Sequence, residues 1–213
     1  KFYHHHGGQL VPPFDEQLEQ CIQTTQRIER MSMDRAIANG LVREIPPTVH
    51  TEYLQSNLDI SRTPEERSIK IVFSPLHGTG DTTVAEVLHS AGFECVLEPT
   101  QAEHDGSFPS VPHRTPNPEQ PATLEAAIHT ADSIEASLVM ACDPDADRLG
   151  VVVSTSSGWR ALTGNEIALL VTFAALHGPR VTATSVVMRT EVTCSLVTRL
   201  AERHGVRVVD HLL

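Results

Sequence analysis

From Ile69 onward the chain alternates short apolar runs with helical stretches, and this alternation limits the fold more than any other feature. Ile69–Phe73, Glu94–Glu98 and Leu138–Cys142 each read as a short buried strand. Helices are expected over Thr82–Ala91, closed by Gly92, and around Leu124–His129. A strand over Leu149–Ser154 has a hairpin partner in Trp159–Leu162, and a helix from Gly164 to about His177 follows. Beyond Gly178-Pro179 the pattern restarts, with a strand over Val181–Met188, a helix over Thr193–His204 and a strand over Val206–Val209. Such β-α-β repetition predicts an α/β class protein built on a three-layer domain, with a second domain beginning at Gly178-Pro179. The long polar stretch Pro99–Pro121, with prolines at 99, 109, 112, 116, 118 and 121, is a loop between strand and helix. Before Ile69 the reading is helical: about Gln17 to Met31, a short stretch closed by Asn39-Gly40, and a helix around His50–Leu58.

Composition removes several function classes. With 16 basic and 27 acidic residues the formal net charge is −11, so sequence-independent nucleic-acid binding is disfavoured. No apolar run approaches the roughly 18–20 residues that span a bilayer, so no membrane role is expected. Cys21, Cys95, Cys142 and Cys194 are far apart and unpaired in sequence, which predicts reduced thiols in a cytoplasmic protein. The chain starts at Lys1-Phe2-Tyr3 and stops at His211-Leu212-Leu213, within a strand-like stretch, so it reads as an internal piece of a longer protein.

The densest chemistry lies in Cys142-Asp143-Pro144-Asp145-Ala146-Asp147-Arg148. In extended backbone, residues at i, i+2 and i+4 share one side, so three carboxylates converge immediately after a strand. That concentration of negative charge calls for a cation, and hard oxygen ligands favour Mg²⁺, Mn²⁺ or Ca²⁺ over zinc. An EF-hand is ruled out, because its sixth and twelfth positions would be Arg148 and Ser154 rather than Gly and Glu. A haloacid-dehalogenase-like phosphatase also places D-x-D after a strand. Its usual Thr or Val two residues beyond the second Asp is here Asp147, which weakens that reading without removing it. A non-catalytic metal-binding α/β module is the third alternative.

Two further motifs stand at strand–helix junctions. Ser74-Pro75-Leu76-His77-Gly78-Thr79-Gly80 presents backbone N–H groups of the kind that hold phosphate, but lacks the Lys-Ser/Thr ending of a P-loop. Leu162-Thr163-Gly164-Asn165-Glu166 reads as a capped helix start. The run His4-His5-His6-Gly7-Gly8 reads as an exposed loop.

In this order and at these separations, Pro75–Gly80, Pro116-Asn117-Pro118-Glu119, Asp143–Arg148 and Leu162–Asn165 resemble the α-D-phosphohexomutase superfamily. The resemblance is strongest to its bacterial phosphoglucomutase/phosphomannomutase branch, which carries P-L-H-G-x-G, P-N-P-E, D-P-D-A-D-R and L-T-G-N-x. It covers nearly the whole chain, and its acidic motif is the most specific. It implies a three-layer α/β/α domain with a mixed sheet, flanked by partial α/β domains: residues 1–45 are the end of domain 1, 46–178 are domain 2 and 179–213 open domain 3. It also implies a phosphoserine loop before Lys1 and a sugar-recognition loop after Leu213. By the same resemblance, Asp143, Asp145 and Asp147 are ligands of one Mg²⁺ whose fourth ligand is the phosphoserine. Arg148 and Lys1 are the catalytic candidates, beside the phosphoserine and as general acid/base respectively. His77 and Gly78 are candidates for binding a phosphosugar substrate. The implied activity interconverts hexose 1-phosphate and hexose 6-phosphate through an enzyme phosphoserine and a 1,6-bisphosphate, and the chain alone is expected to be inactive.

Overall fold

A computed structural model describes residues 2–60, 67–178 and 181–211. The chain divides into two compact units, residues 1–47 and 48–213. In the first, the backbone of Tyr3 bridges that of Gln9, and helix α1 runs over Phe14–Thr24. Asp15 and Glu16 lie in the first turn of α1, where acidic side chains favour the helix dipole, rather than capping a helix from Gln17. The helix stops well before Met31. The hydroxyls of Thr24 and Thr25 donate back to the carbonyls of Gln20 and Cys21, and Thr25 turns to extended backbone (ψ 109°). Helix α2, Met33–Ala38, is capped by Ser32 and ends at Asn39-Gly40, where Gly40 has φ +69°.

Helix α3, Pro47–Ile60, leads into the second unit. Its strands are β1 (Lys70–Ser74), β2 (Glu94–Leu97), β3 (Leu138–Cys142), β4 (Leu149–Thr155) and β5 (Gly158–Ala161). They form one mixed sheet in the order β2-β1-β3-β4-β5. β1 runs parallel to both β2 and β3, whereas β3, β4 and β5 form an antiparallel meander. Along β1 alternate residues face opposite layers. Val72 joins Val139, Ala141 and Val152 against helix α5 (Glu125–Ser133), through Ala127 and Ala131. Ile71 and Phe73 pack on the other face with Ala85 of helix α4 (Val84–Ser90) and with Cys95. Helices on both faces of one sheet make the three layers expected from the sequence. Phe73 is fully buried, and truncating it to Ala would cost about 3–5 kcal/mol.

Helix α6, Gly164–Leu176, starts with a capping box: Thr163 Oγ1 accepts from Glu166 N, and the Glu166 carboxylate accepts from Thr163 N. A second, two-stranded parallel sheet follows, β6 (Val186–Thr190) and β7 (Arg207–His211), with helix α7 (Ser195–Arg203) between them. β6 begins five residues later than the sequence suggests. Thr182 N is spent on Ser185 Oγ in a turn, so Val181–Ser185 cannot join the ladder. Among the described residues, no helix is long and apolar enough to cross a membrane.

Candidate functional site

Because β1 and β3 are parallel neighbours, with Ser74 opposite Ala141, the loops that follow them leave the sheet at the same edge. Two motifs separated by more than sixty residues are thereby brought into contact. Thr79 donates its backbone N–H (3.0 Å) and its hydroxyl (3.2 Å) to the carbonyl of Pro144. Gly78 makes this approach possible: a Cβ there would lie 2.1 Å from Pro144 Cα and 2.5 Å from its carbonyl oxygen. Gly80 is equally tight, since a Cβ would meet Cys142 Sγ at 2.4 Å. The P-N-P-E stretch packs against β4, where the Pro118 carbonyl oxygen would be 2.3 Å from a Cβ on Gly150.

The strand-end loop keeps its shape through buried polar contacts. Ser74 Oγ donates to Gln101 Oε1 at 2.7 Å and accepts from Leu76 N, while His77 N donates to Gln101 O. Leu76 and His77 both hold left-handed backbone (φ 47° and 64°). The His77 imidazole is buried, with Nδ1 2.8 Å from the Glu103 carbonyl and Nε2 2.8 Å from Ser110 Oγ. Both of its ring nitrogens are thus engaged inside the protein, and the loop presents backbone rather than imidazole outward.

In the acidic loop, one carboxylate oxygen each of Asp143, Asp145 and Asp147 lie within 4.8 Å of one another. Asp143 is buried, and Asp145 and Asp147 are exposed. Asp143 Oδ1 accepts from the backbone N–H of Asp147 (3.1 Å) and Arg148 (3.0 Å), which folds the loop around it. Its Oδ2 accepts from Arg148 Nε at 2.9 Å. The Asp143 hydrogen bond chiefly raises the Arg148 pKa, so the guanidinium is held firmly charged. Ala146, at φ 56°, makes the turn between the two exposed carboxylates. Mg²⁺ takes oxygens at about 2.0–2.1 Å, so octahedral ligands sit at most about 4.2 Å apart. The 4.8 Å spread of the triad is slightly wider than that span, and its all-oxygen donor set suits a hard divalent ion. Cys142, just before the triad, is no nucleophile: burial, then the Asp143 and Asp81 charges, push its thiol up to about 12.

Of the site residues read from the sequence, the structure brings His77, Gly78, Asp143, Asp145, Asp147 and Arg148 to one sheet edge. Lys1 lies outside the described residues. Arg148 is seen in an ion pair with Asp143, and Gly78 supports Pro144. The residues that hold this arrangement and carried no sequence signal are Gln101 and Ser110. Their partners are remote in sequence, so no local spacing marks them.

A family model described as phosphoglucomutase/phosphomannomutase, alpha/beta/alpha domain II, matches residues 48–158. A phosphoglucomutase from Staphylococcus saprophyticus is 32% identical over 100% of this chain and 39% of its own length. A phosphomannomutase from Mycoplasmoides pirum is 29% identical over 96% of this chain and 38% of its own. A Saccharomyces cerevisiae phosphoribomutase is 30% identical over 81% of this chain and 30% of its own. The chain therefore spans less than half the length of these relatives. Among solved structures, a Burkholderia thailandensis phosphoglucomutase/phosphomannomutase family protein superposes with a TM-score of 0.61 at 20% identity, over 78% of this chain and 33% of the other. A Thermus thermophilus protein described as a phosphomannomutase gives 0.58 at 21% identity, over 78% and 36%. These two show the fold. The haloacid-dehalogenase alternative finds no support in these matches. With the domain model covering more than half of its residues, the chain belongs to the phosphoglucomutase/phosphomannomutase family.

Proposed function

We propose that the chain supplies the metal-binding domain of a phosphohexomutase that interconverts hexose 1-phosphate and hexose 6-phosphate. The observation that carries this reading is the convergence of Asp143, Asp145 and Asp147 on the edge where β1 and β3 end. In this reading residues 46–178 are the second domain, residues 1–45 close a preceding one and residues 179–213 open a third. The three aspartates hold one Mg²⁺ together with an oxygen of a phosphoserine from the rest of the protein. When bound, the ion neutralises charge on the phosphoryl group being transferred.

The chain's own residues do the positioning. Asp143, fixed by two backbone N–H groups and by Arg148, sets the direction from which the exposed Asp145 and Asp147 reach an ion. With Nε engaged by Asp143, the outer edge of the half-exposed Arg148 guanidinium serves phosphate oxygens. The loop Ser74–Gly80 presents backbone toward the phosphosugar, with His77 shaping it from inside. Lys1 is the general acid/base candidate toward the sugar hydroxyl.

The experiment is Asp145→Asn in the full-length protein. Loss of one charged ligand without change of shape leaves the fold intact and lowers turnover by orders of magnitude. Unchanged turnover removes the triad from the mechanism. The 213-residue chain alone converts no glucose 1-phosphate to glucose 6-phosphate, and measurable conversion by it overturns the domain assignment.

A further inference from the structure

Helices α6 and α7 lie side by side, and their ends meet at two places. At their N-terminal ends Asn165 Oδ1 accepts from Cys194 N at 3.0 Å. At their C-terminal ends each finishes on a histidine: His177 is the C-cap of α6 and His204 the C-cap of α7. His177 Nδ1 is 2.8 Å from the Phe173 carbonyl, and His204 Nδ1 is 2.8 Å from the Leu200 carbonyl. A carbonyl only accepts, so Nδ1 carries the proton in both rings. In the neutral rings both Nε2 atoms then carry lone pairs, and they lie 3.4 Å apart, with the rings crossed at 73°.

Two facing lone pairs repel unless something positive lies between them. A proton shared between the two Nε2 atoms at 3.4 Å would make only a long, weak hydrogen bond. Two nitrogens held at about 2.0–2.1 Å by one tetrahedral ion stand about 3.3–3.4 Å apart, which is the spacing seen. The carbonyl behind each ring is the partner that fixes the tautomer of a metal-ligating histidine. The negative ends of two helix dipoles also meet at this point, which favours a cation. Both rings are exposed, so an ion can reach them. The donor set separates this place from the acidic loop: imidazole selects Zn²⁺, Cu²⁺ or Ni²⁺, whereas carboxylates select Mg²⁺.

We infer that His177 and His204 chelate a transition-metal ion of the Zn²⁺ class through their Nε2 atoms, with water completing the coordination. The ion clamps the C-terminal end of α6 to that of α7 and so joins the helix following the five-stranded sheet to the β6–α7–β7 unit. This site is independent of the proposed Mg²⁺ triad and of the mutase reading.

The test is calorimetric Zn²⁺ titration of the metal-free 213-residue chain in excess Mg²⁺, which occupies the carboxylates. The wild type takes up one Zn²⁺ at this pair. His177→Gln and His204→Gln each weaken it by at least about tenfold, with unchanged circular dichroism. A His4→Gln, His5→Gln, His6→Gln triple variant retains it. Cu²⁺ bound to the wild type shows two imidazole nitrogens by electron paramagnetic resonance, and one in His204→Gln. In the wild type alone, Zn²⁺ shifts the ¹⁵N resonances of two histidine Nε2 atoms. Affinity lost only in the triple variant, or no Zn²⁺ uptake at all, overturns the inference.

Discussion

Gly78 touches Pro144 so closely that a methyl group on its α-carbon would overlap the Pro144 backbone, at 2.1 Å from Cα. Through this contact the loop after β1 supports the loop that carries the three aspartates. The glycine is needed for closeness, since its own backbone (φ −104°, ψ −161°) is open to other residues.

Gly78→Ala must therefore push the two loops apart. We expect a loss of about 1–3 kcal/mol in chemical denaturation, together with weaker Mg²⁺ binding. Gly106→Ala, where nothing lies within 4 Å of the added atom, is the control and should change neither.

Arg148→Gln removes the charged partner of a buried carboxylate. The Asp143 side chain is 3% exposed but that of Arg148 is 46% exposed, so solvent screening reduces the loss to about 1–2 kcal/mol. Denaturant midpoints of the two proteins check this. In the full-length enzyme the same change should also lower turnover more than it lowers Mg²⁺ affinity.

The capping box gives a pH dependence of known sign. Glu166 is held below its ordinary value, first by the Thr163 N–H, then by the Thr163 hydroxyl and by Arg160. A depressed folded-state pKa adds stability above the unfolded value of 4.5 and loses it as pH falls through the folded one. Glu166→Gln should flatten the fall of Tm below about pH 4.5. Equal acid sensitivity in both proteins would show that the box contributes nothing.

Thiol reactivity offers an independent check of the core. Burial pushes Cys95 up to about 11 and Cys142 up to about 12. At pH 8 a disulfide reagent should label exposed Cys21 rapidly, while Cys95 and Cys142 react only on unfolding. Fast labelling of Cys142 in the folded chain would contradict the packing of Gly80 against it.

How much of this was legible beforehand depended on whether the deciding contacts were local. Strand β3 was readable to the residue, because an apolar run ends directly in the acidic loop. So was the α6 start, because Thr163 and Glu166 form their box within one turn. Val181–Ser185 misled because valine and threonine favour strands, while the Thr182–Ser185 turn that excludes them depends on one hydroxyl. In the site, the alternation of Asp143, Asp145 and Asp147 pointed to convergence on one side. That Asp143 would be buried and paired with Arg148 depended on the folded loop. The burial of His77 depended on Glu103 and Ser110, 26 and 33 residues away in sequence.

Everything proposed for this site depends on the loop Asp143–Arg148 binding a hard divalent cation. Mg²⁺ titration of the ¹⁵N-labelled chain, followed amide by amide, tests it directly. Saturable shifts should concentrate at residues 143–148, spread to Thr79 through the Pro144 contact, and disappear in Asp145→Asn. Shifts that are absent, or that persist unchanged in Asp145→Asn, would contradict such binding.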